Sequence, residues 1–260
     1  MWNTLLVYPL TNALIWLYLF LGNNLGLAVI VLTALIRGAL APLTAPSLKS
    51  AEKLRSLQPE LTVLKEKYGA NKQEFAKKQL ELYQKYGVNP AAGCLPQIVQ
   101  IIVLFALFGA FNQVLRANGD IIAKLNEILY TPLPDSITAI NTRFLYLDLT
   151  KADTIAIPAI NFFNLFTLDK LPGLFLIASA VTQFISSKLM MPASLATKAK
   201  AQKSPQQADD MAAAMQSQML YLMPAMTLFI GFSFPSGLVL YWLTFSLLML
   251  VQQLWLKKKA

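Results

Sequence analysis

Apolar runs of about 16–21 residues recur five times along the chain, at Leu25–Leu43, Leu95–Leu115, Leu171–Met191, Met219–Phe234 and Gly237–Leu256, each suited to a hydrocarbon core about 30 Å thick. The pattern predicts five transmembrane helices. The fourth run contains Pro224 and meets the fifth through Pro235-Ser236-Gly237, a turn signature that predicts a tight hairpin. Met1–Gly22 is also apolar and uncharged, but Pro9 interrupts it, and Thr4, Tyr8, Thr11 and Asn12 fall roughly on one helical face. That face suits a helix lying in the membrane interface. A sixth span there would move only the N-terminus and leave every later connection in place.

A second periodicity appears between the first two runs. Leu54, Leu57, Leu61, Leu64 and Tyr68 recur at three- and four-residue spacing, followed by Phe75, Leu82 and Tyr86, which predicts two amphipathic helices. Gly69 suits the end of the first, and Asn71 with Glu74 three residues later resembles a capping box opening the second. Pro59 should start a new segment or kink the helix, with Gln58 held out of the α region. A two-helix hairpin has too little core to be rigid alone, so it is expected to lean on lipid headgroups or a partner and to stay mobile. An ordinary loop whose lysines only enforce orientation explains the charge, but not the paired apolar stripes.

Charge then orients the spans. Of the 260 residues, 56% are hydrophobic and 13% charged, where a soluble domain would be about a quarter charged. The chain reads as an all-α integral membrane protein. Residues 45–90 hold nine Lys/Arg and five Glu, residues 116–170 five Lys/Arg and six Asp/Glu, residues 188–216 four Lys, and the chain ends in Lys257-Lys258-Lys259. By the excess of Lys and Arg near the spans, the first and third connections and the tail face the cytoplasm. The expected order is an external interfacial helix (1–22), span 1 (23–44), a cytoplasmic helical hairpin (45–90), span 2 (91–115), an extracytoplasmic loop (116–170) and span 3 (171–191). A cytoplasmic loop (192–216), span 4 (217–234), span 5 (235–256) and a basic cytoplasmic tail (257–260) complete it. The N-terminus lies outside and the C-terminus inside.

Several chemistries lack their parts. With no histidine and one cysteine, Cys94, no disulfide can close within the chain, and zinc clusters, histidine-based triads and haem ligation are left without ligands. No phosphate-binding Gly-rich motif is present. No metal, cofactor or enzymatic activity is expected. The first twenty residues contain no Lys or Arg and no small-residue cleavage pattern, so they do not read as a cleaved signal peptide, and no cysteine near the start offers a lipid anchor.

Arg37 is the one charge inside its run, Leu25–Leu43. A guanidinium keeps its proton, and a charge near a membrane helix centre costs on the order of 2.5–3.5 kcal/mol on insertion scales. Two readings stand open. Arg37 lies near the end of its run and could snorkel to the headgroups, or it could be a functional intramembrane cation. Other spans carry polar faces: Ser179, Thr182, Gln183 and Ser186 in span 3, Gln97 and Gln100 in span 2, and Tyr241, Trp242, Thr244 and Ser246 in span 5. Such residues commonly join helices by hydrogen bonds worth about 0.6–2 kcal/mol, which is reason enough for any one of them. Together with an arginine that no Asp or Glu in the spans can neutralise, they point to a water-filled cavity of positive potential.

The strings Gly26-Leu-Ala-Val-Ile-Val-Leu-Thr-Ala-Leu-Ile-Arg37, Gln58-Pro-Glu-Leu61, Tyr86-Gly-Val-Asn-Pro90 with Gly93-Cys-Leu-Pro-Gln97, Phe144-Leu-Tyr-Leu-Asp-Leu149 and Phe234-Pro-Ser-Gly-Leu-Val-Leu-Tyr-Trp242 stand in an order and spacing that resembles the YidC-type membrane protein insertases, which have mitochondrial and chloroplast relatives. The resemblance runs from about Tyr8 to Gln253. It implies five transmembrane helices around a hydrophilic groove open to the cytoplasm and the lipid but closed to the outside, with an external interfacial helix before the first span. It implies that Arg37 is the groove arginine, Gln183 a polar groove residue and Trp242 a groove-facing aromatic, and that residues 47–86 form the mobile cytoplasmic module receiving substrates. The expected substrate groove is Arg37, Gln97, Gln100, Ser179, Thr182, Gln183, Ser186, Tyr241 and Trp242, in a bacterial plasma membrane.

The function so implied is a membrane insertase or chaperone that inserts small membrane proteins and moves short hydrophilic tails across without nucleotide hydrolysis. Its partners would be nascent membrane proteins and anionic phospholipids; a Sec translocon and the ribosome stay open, and neither nucleic acid nor a small-molecule substrate is expected. The sequence departs from some relatives in having no large extracytoplasmic domain and only four residues after Leu256, so tail-mediated ribosome docking is not expected. The 55-residue outer connection could carry interfacial structure, with Phe162, Phe163, Leu165 and Phe166 as membrane contacts. A solute transporter or channel with an anion site at Arg37 is disfavoured by the small span count and the lack of acidic coupling residues or paired broken helices. A chaperone that binds without inserting would need the same greasy groove.

Overall fold

The helices follow the apolar runs, but their ends do not. The computed structural model describes residues 1–88, 95–115, 121–162, 166–190 and 220–259. A π-helical turn, Asn3–Val7, leads into α1 (Tyr8–Phe20), and Pro9 falls in the first turn of α1, where its missing N–H costs little. The expected interruption is absent. Among the described residues, Asn3–Phe20 is one of four helices long and apolar enough to cross a membrane, with Leu25–Leu54, Ile98–Leu115 and Ser236–Trp255.

Of the four residues expected on one polar face, Thr4 is exposed and Tyr8 half-buried, while Thr11 and Asn12 turn to the protein. Thr11 is fully buried and its hydroxyl donates to the Val7 carbonyl at 2.8 Å, while Asn12 Nδ2 donates to the Ile128 carbonyl at 3.0 Å and Asn12 Oδ1 accepts from the Tyr130 amide. These groups serve the protein interior and the loop beside it. What α1 exposes instead is apolar, Trp16 stacked on Phe20 with centroids 5.4 Å apart.

Left-handed Gly22 and Asn23 turn the chain into α2 (Leu25–Ser56), whose first turn is capped by Asn24 Oδ1 accepting from the Leu27 amide at 3.0 Å. The 32 residues of α2 span about 48 Å, well past the apolar run, and the helix passes through Pro42 and Pro46. Between these prolines the Thr44 hydroxyl donates to the Leu40 carbonyl at 3.0 Å. The first predicted amphipathic stretch is therefore split, its start belonging to α2 and its remainder to α3 (Gln58–Tyr68), with α4 (Lys72–Lys85) following.

Gln58, expected outside the α region, is the first residue of α3, because Pro59 sits where the helix has no use for its N–H. Gly69 ends α3 in a right-handed conformation. Asn71 caps α4, accepting from the Glu74 amide at 3.3 Å, while its own amide donates to the Tyr68 carbonyl. Leu57, Leu61, Leu82 and Val88 are the buried apolar residues of this hairpin, and Tyr86 donates to Glu60 at 2.7 Å across it. The hairpin meets α2 through α3.

After α5 (Leu95–Leu115) and α6 (Ile121–Asn126) come two antiparallel β-hairpins, a departure from the all-α expectation in an otherwise mostly helical chain. β1 (Arg143–Phe144) pairs with β2 (Leu147–Asp148), and β3 (Thr154–Phe162) with β4 (Phe166–Pro172). The register of the second shifts between Ala156 and Ile160, around Pro158, which has no N–H for the ladder. Phe162 and Phe166 are ladder partners; the other two expected contacts, Phe163 and Leu165, lie outside the described residues. α7 (Leu174–Met190) starts three residues later than its apolar run, since Leu171 and Pro172 belong to β4. α8 (Leu220–Gly231) and α9 (Ser236–Lys259) are joined by residues 232–235; of the expected turn Pro235-Ser236-Gly237, only Pro235 lies outside a helix, since Ser236 and Gly237 open α9.

The core lies where α1 meets α2 and α5 and α9 meets α2, α5 and α7, with Leu14, Tyr18, Leu25, Phe111, Leu149, Leu238 and Tyr241 fully enclosed. The β-hairpin end is tied by polar bonds. The Ser236 amide donates to the Lys151 carbonyl at 2.7 Å, the Ser236 hydroxyl to the Asp148 carbonyl at 2.8 Å, and the Asn141 amide to the Tyr18 hydroxyl at 3.0 Å.

Asp153, almost wholly buried, accepts from the Leu176 amide at 2.8 Å in the first turn of α7 and from the Tyr146 hydroxyl at 2.9 Å. Burial pushes the Tyr146 phenol up, the Phe175 amide works against this, and the Asp153 bond adds to it, so Tyr146 stays a donor. A Cβ on Gly173 would overlap the Asp153 carboxylate. Gly173→Ala should therefore destabilise the protein by about 1–3 kcal/mol, and Asp153→Ala by a similar amount through its unpaired donors. Unchanged melting in detergent for both variants would remove this junction from the stabilising contacts.

Candidate functional site

Arg37 lies twelve residues into α2, about 18 Å along the helix from Leu25. Its side chain is 8% exposed, so the charge ends inside the protein and not in water beyond the helix end. Nη2 donates to Gln252 Oε1 on α9 at 2.8 Å, and Cζ lies 4.8 Å from the centroid of the Phe245 ring, one to two turns earlier on the same helix. Nε is buried and has no hydrogen-bond partner among the described residues. A hydrogen bond to a charged group is worth about 1.5–3 kcal/mol and a cation–π contact about 0.5–2 kcal/mol, together comparable to the insertion cost of the charge. Neither partner cancels the charge.

Tyr241, Phe245 and Gln252, spaced by four and seven residues, form one face of α9. Tyr241 is buried and accepts from Gln100 Nε2 on α5 at 2.7 Å, and its ring lies 6.2 Å from that of Phe245. A continuous row therefore runs from Gln100 through Tyr241 and Phe245 to Arg37 and Gln252. It unites three of the expected groove residues, Arg37, Gln100 and Tyr241.

The remaining expected residues are placed differently. Ser179 is fully buried, its Oγ 2.8 Å from the Phe175 carbonyl and 3.4 Å from that of Val239, which joins α7 to α9. Thr182 donates to Ala178 within its own helix at 2.7 Å. Half-buried Gln183 accepts from the Thr227 hydroxyl on α8 at 2.8 Å. Ser186 is buried, and its hydroxyl has no partner among the described residues. Trp242 is half-buried and packs at a tilt on Phe234, centroids 6.2 Å apart. The side chain of Gln97 lies outside the described ones.

Gln252, Phe245 and Thr227 were not singled out by the sequence. The signal for the first was present: Gln252-Gln253 interrupts an apolar run just before the closing lysines, and amides in a membrane helix need partners. Both amide atoms of Gln253 are buried without partners among the described residues, a third polar group on the inner side of the bundle left unpaired.

Residues 16–260 match the family model described as 60Kd inner membrane protein. The chain is 36% identical to membrane protein insertase YidC 2 of Bacillus anthracis, covering 93% of this chain and 75% of the relative. It is 31% identical to membrane protein insertase MisCA of Bacillus subtilis (98% and 79% covered) and 32% identical to membrane protein insertase YidC of Syntrophobacter fumaroxidans, where it covers all of this chain but 39% of the relative.

The Gln100–Tyr241 bond is testable on its own. In a double-mutant cycle of Gln100→Leu and Tyr241→Phe, followed by reversible unfolding in mixed micelles, the coupling should be about 0.6–1.7 kcal/mol. A coupling of zero would show that the two helices do not depend on this bond.

Proposed function

The chain belongs to the 60Kd inner membrane protein family, the family of the YidC insertases, and on that premise we propose that it inserts small membrane proteins by drawing short hydrophilic tails into a positively charged groove. The observation that carries this reading is the Arg37 charge, buried and held by an amide and a ring that leave it un-neutralised. In the proposed arrangement α2, α5, α7, α8 and α9 span the bilayer, α1 lies at the outer interface, and α3–α4 faces the cytoplasm. The groove would be lined by Arg37, Gln97, Gln100, Ser179, Thr182, Gln183, Ser186, Tyr241 and Trp242.

Arg37 attracts an acidic or polar tail from the cytoplasmic side and lowers its barrier to entering the inner half of the membrane. Partition of the substrate's apolar helix into lipid then supplies the free energy, helped by the membrane potential at about 2.3 kcal/mol per charge per 100 mV. No nucleotide hydrolysis is needed. The α3–α4 hairpin, with its small core and its contact with α2, receives the substrate at the membrane surface, where its lysines meet anionic phospholipids.

In proteoliposomes with a small single-span substrate, protease protection of the tail measures insertion. Arg37→Ala should lower insertion of acidic-tailed substrates about tenfold, and Arg37→Lys should retain part of it. Wild-type insertion by a folded Arg37→Ala protein would remove the charge from the mechanism, and binding without tail protection by the wild type would leave only a chaperone. Deleting most of residues 50–84 should cost insertion activity while leaving the protein in the membrane; loss of the protein would make the hairpin a folding element.

A further inference from the structure

We infer that Gln252 is a positioning and specificity-determining residue for Arg37: its amide oxygen fixes the guanidinium beside the Phe245 ring without neutralising it, so that the site favours tails carrying carboxylates. This rests on the proposed insertase reading.

Three observations converge on it. Gln252 Oε1 accepts from Arg37 Nη2 at 2.8 Å, and the Phe245 ring lies 4.8 Å from Arg37 Cζ, so two groups of one helix face hold the cation from two directions. Both holders are neutral. A carboxylate at position 252 would bind the guanidinium more firmly and cancel its charge, which is what the side chain of a purely structural ion pair would do. Finally, Arg37 Nε is buried with no partner among the described residues, a donor still to be satisfied after Gln252 and Phe245 are counted. An incoming carboxylate supplies both the missing acceptor and the missing charge, and an uncharged tail supplies at most the acceptor.

Gln252 would thus act through Arg37. An amide used only to join α2 to α9 would affect every substrate equally, whereas an amide that keeps the cation placed and unpaired acts on the discrimination between tails. Gln252→Glu keeps the acceptor and removes the net charge. Gln252→Met keeps the length and the apolar stem and removes the strong acceptor, so that the charge remains but is no longer fixed.

The test uses the full chain in proteoliposomes and two substrates differing only in the tail, one with two aspartates and one with two asparagines. Protease protection gives the ratio of acidic to neutral tail inserted. Gln252→Glu should lower this ratio about tenfold and Gln252→Met about threefold relative to wild type. A wild-type ratio in both variants overturns the inference even if their absolute rates fall, since that is the signature of a helix-joining amide. Should the wild type protect neither tail, the insertase reading itself fails and the inference with it.

Discussion

The Arg37 guanidinium keeps its proton at any accessible pH, and none of the apolar helices packed around it carries Asp or Glu. The bundle must therefore accommodate a permanent charge with neutral groups alone. It does so through α9, which presents Tyr241, Phe245 and Gln252 on one face and reaches α5 with the first and α2 with the other two. The same helix meets α7 through Ser179 and the Val239 carbonyl. Because α9 is the common partner, a displacement of Arg37 is felt along its whole inner face, and the placement of α2, α5 and α7 depends on a helix that was long, apolar and unremarkable in its composition.

Much of this was legible in the chain, and the reasons differ by element. Apolar length reported three of the five expected spans as helices long enough to cross a membrane, because a bilayer sets one length scale that side-chain detail does not alter, while the runs at 171–191 and 219–234 hold the shorter α7 and α8 and the fourth long helix described is Asn3–Phe20. It did not report their ends: α2 runs through Pro42 and Pro46 to Ser56, and the sequence of a helix leaving the membrane does not differ from that of a helix starting beside it. Both β-hairpins were missed because their strands are short or irregular, with Pro158 at a register shift and β4 running into residues whose hydrophobicity matched the next span. The polar face of α1 was read as facing the interface, whereas Thr11 and Asn12 turn inward to the protein; amphipathicity shows that a face is distinct, not what it meets.

For the site, the lone charge was the legible part, since a single Arg in an apolar run stands out against its background. Its partner was not. Gln252 is one of several amides and hydroxyls in the spans, and spacing within a helix cannot say which residue of another helix lies opposite. Polarity alone also overstates a face: Ser179 and Thr182 largely spend their hydroxyls on their own helix, and Gln183 on Thr227, while among the described residues those left with buried unpaired atoms are Arg37, Ser186 and Gln253. Only hydrogen-bond accounting separates polar groups that hold helices together from those still available.

That accounting has a direction along the bundle. Toward the β-hairpins, the polar groups are consumed in pairs: Asp153 with Tyr146 and the Leu176 amide, Ser236 with Lys151 and Asp148, Asn12 with the 128–130 segment, Tyr18 with Asn141. Farther from the β-hairpins, Arg37, Ser186 and Gln253 keep buried polar atoms unpaired among the described residues, and the α3–α4 hairpin meets α2. For the insertion proposed above, this asymmetry matters, because a polar path satisfied at neither end would leak ions, and one satisfied at both ends would offer nothing to a substrate. On that reading, unpaired groups at one end would give a tail a reason to enter, and the internally bonded end would resist leakage.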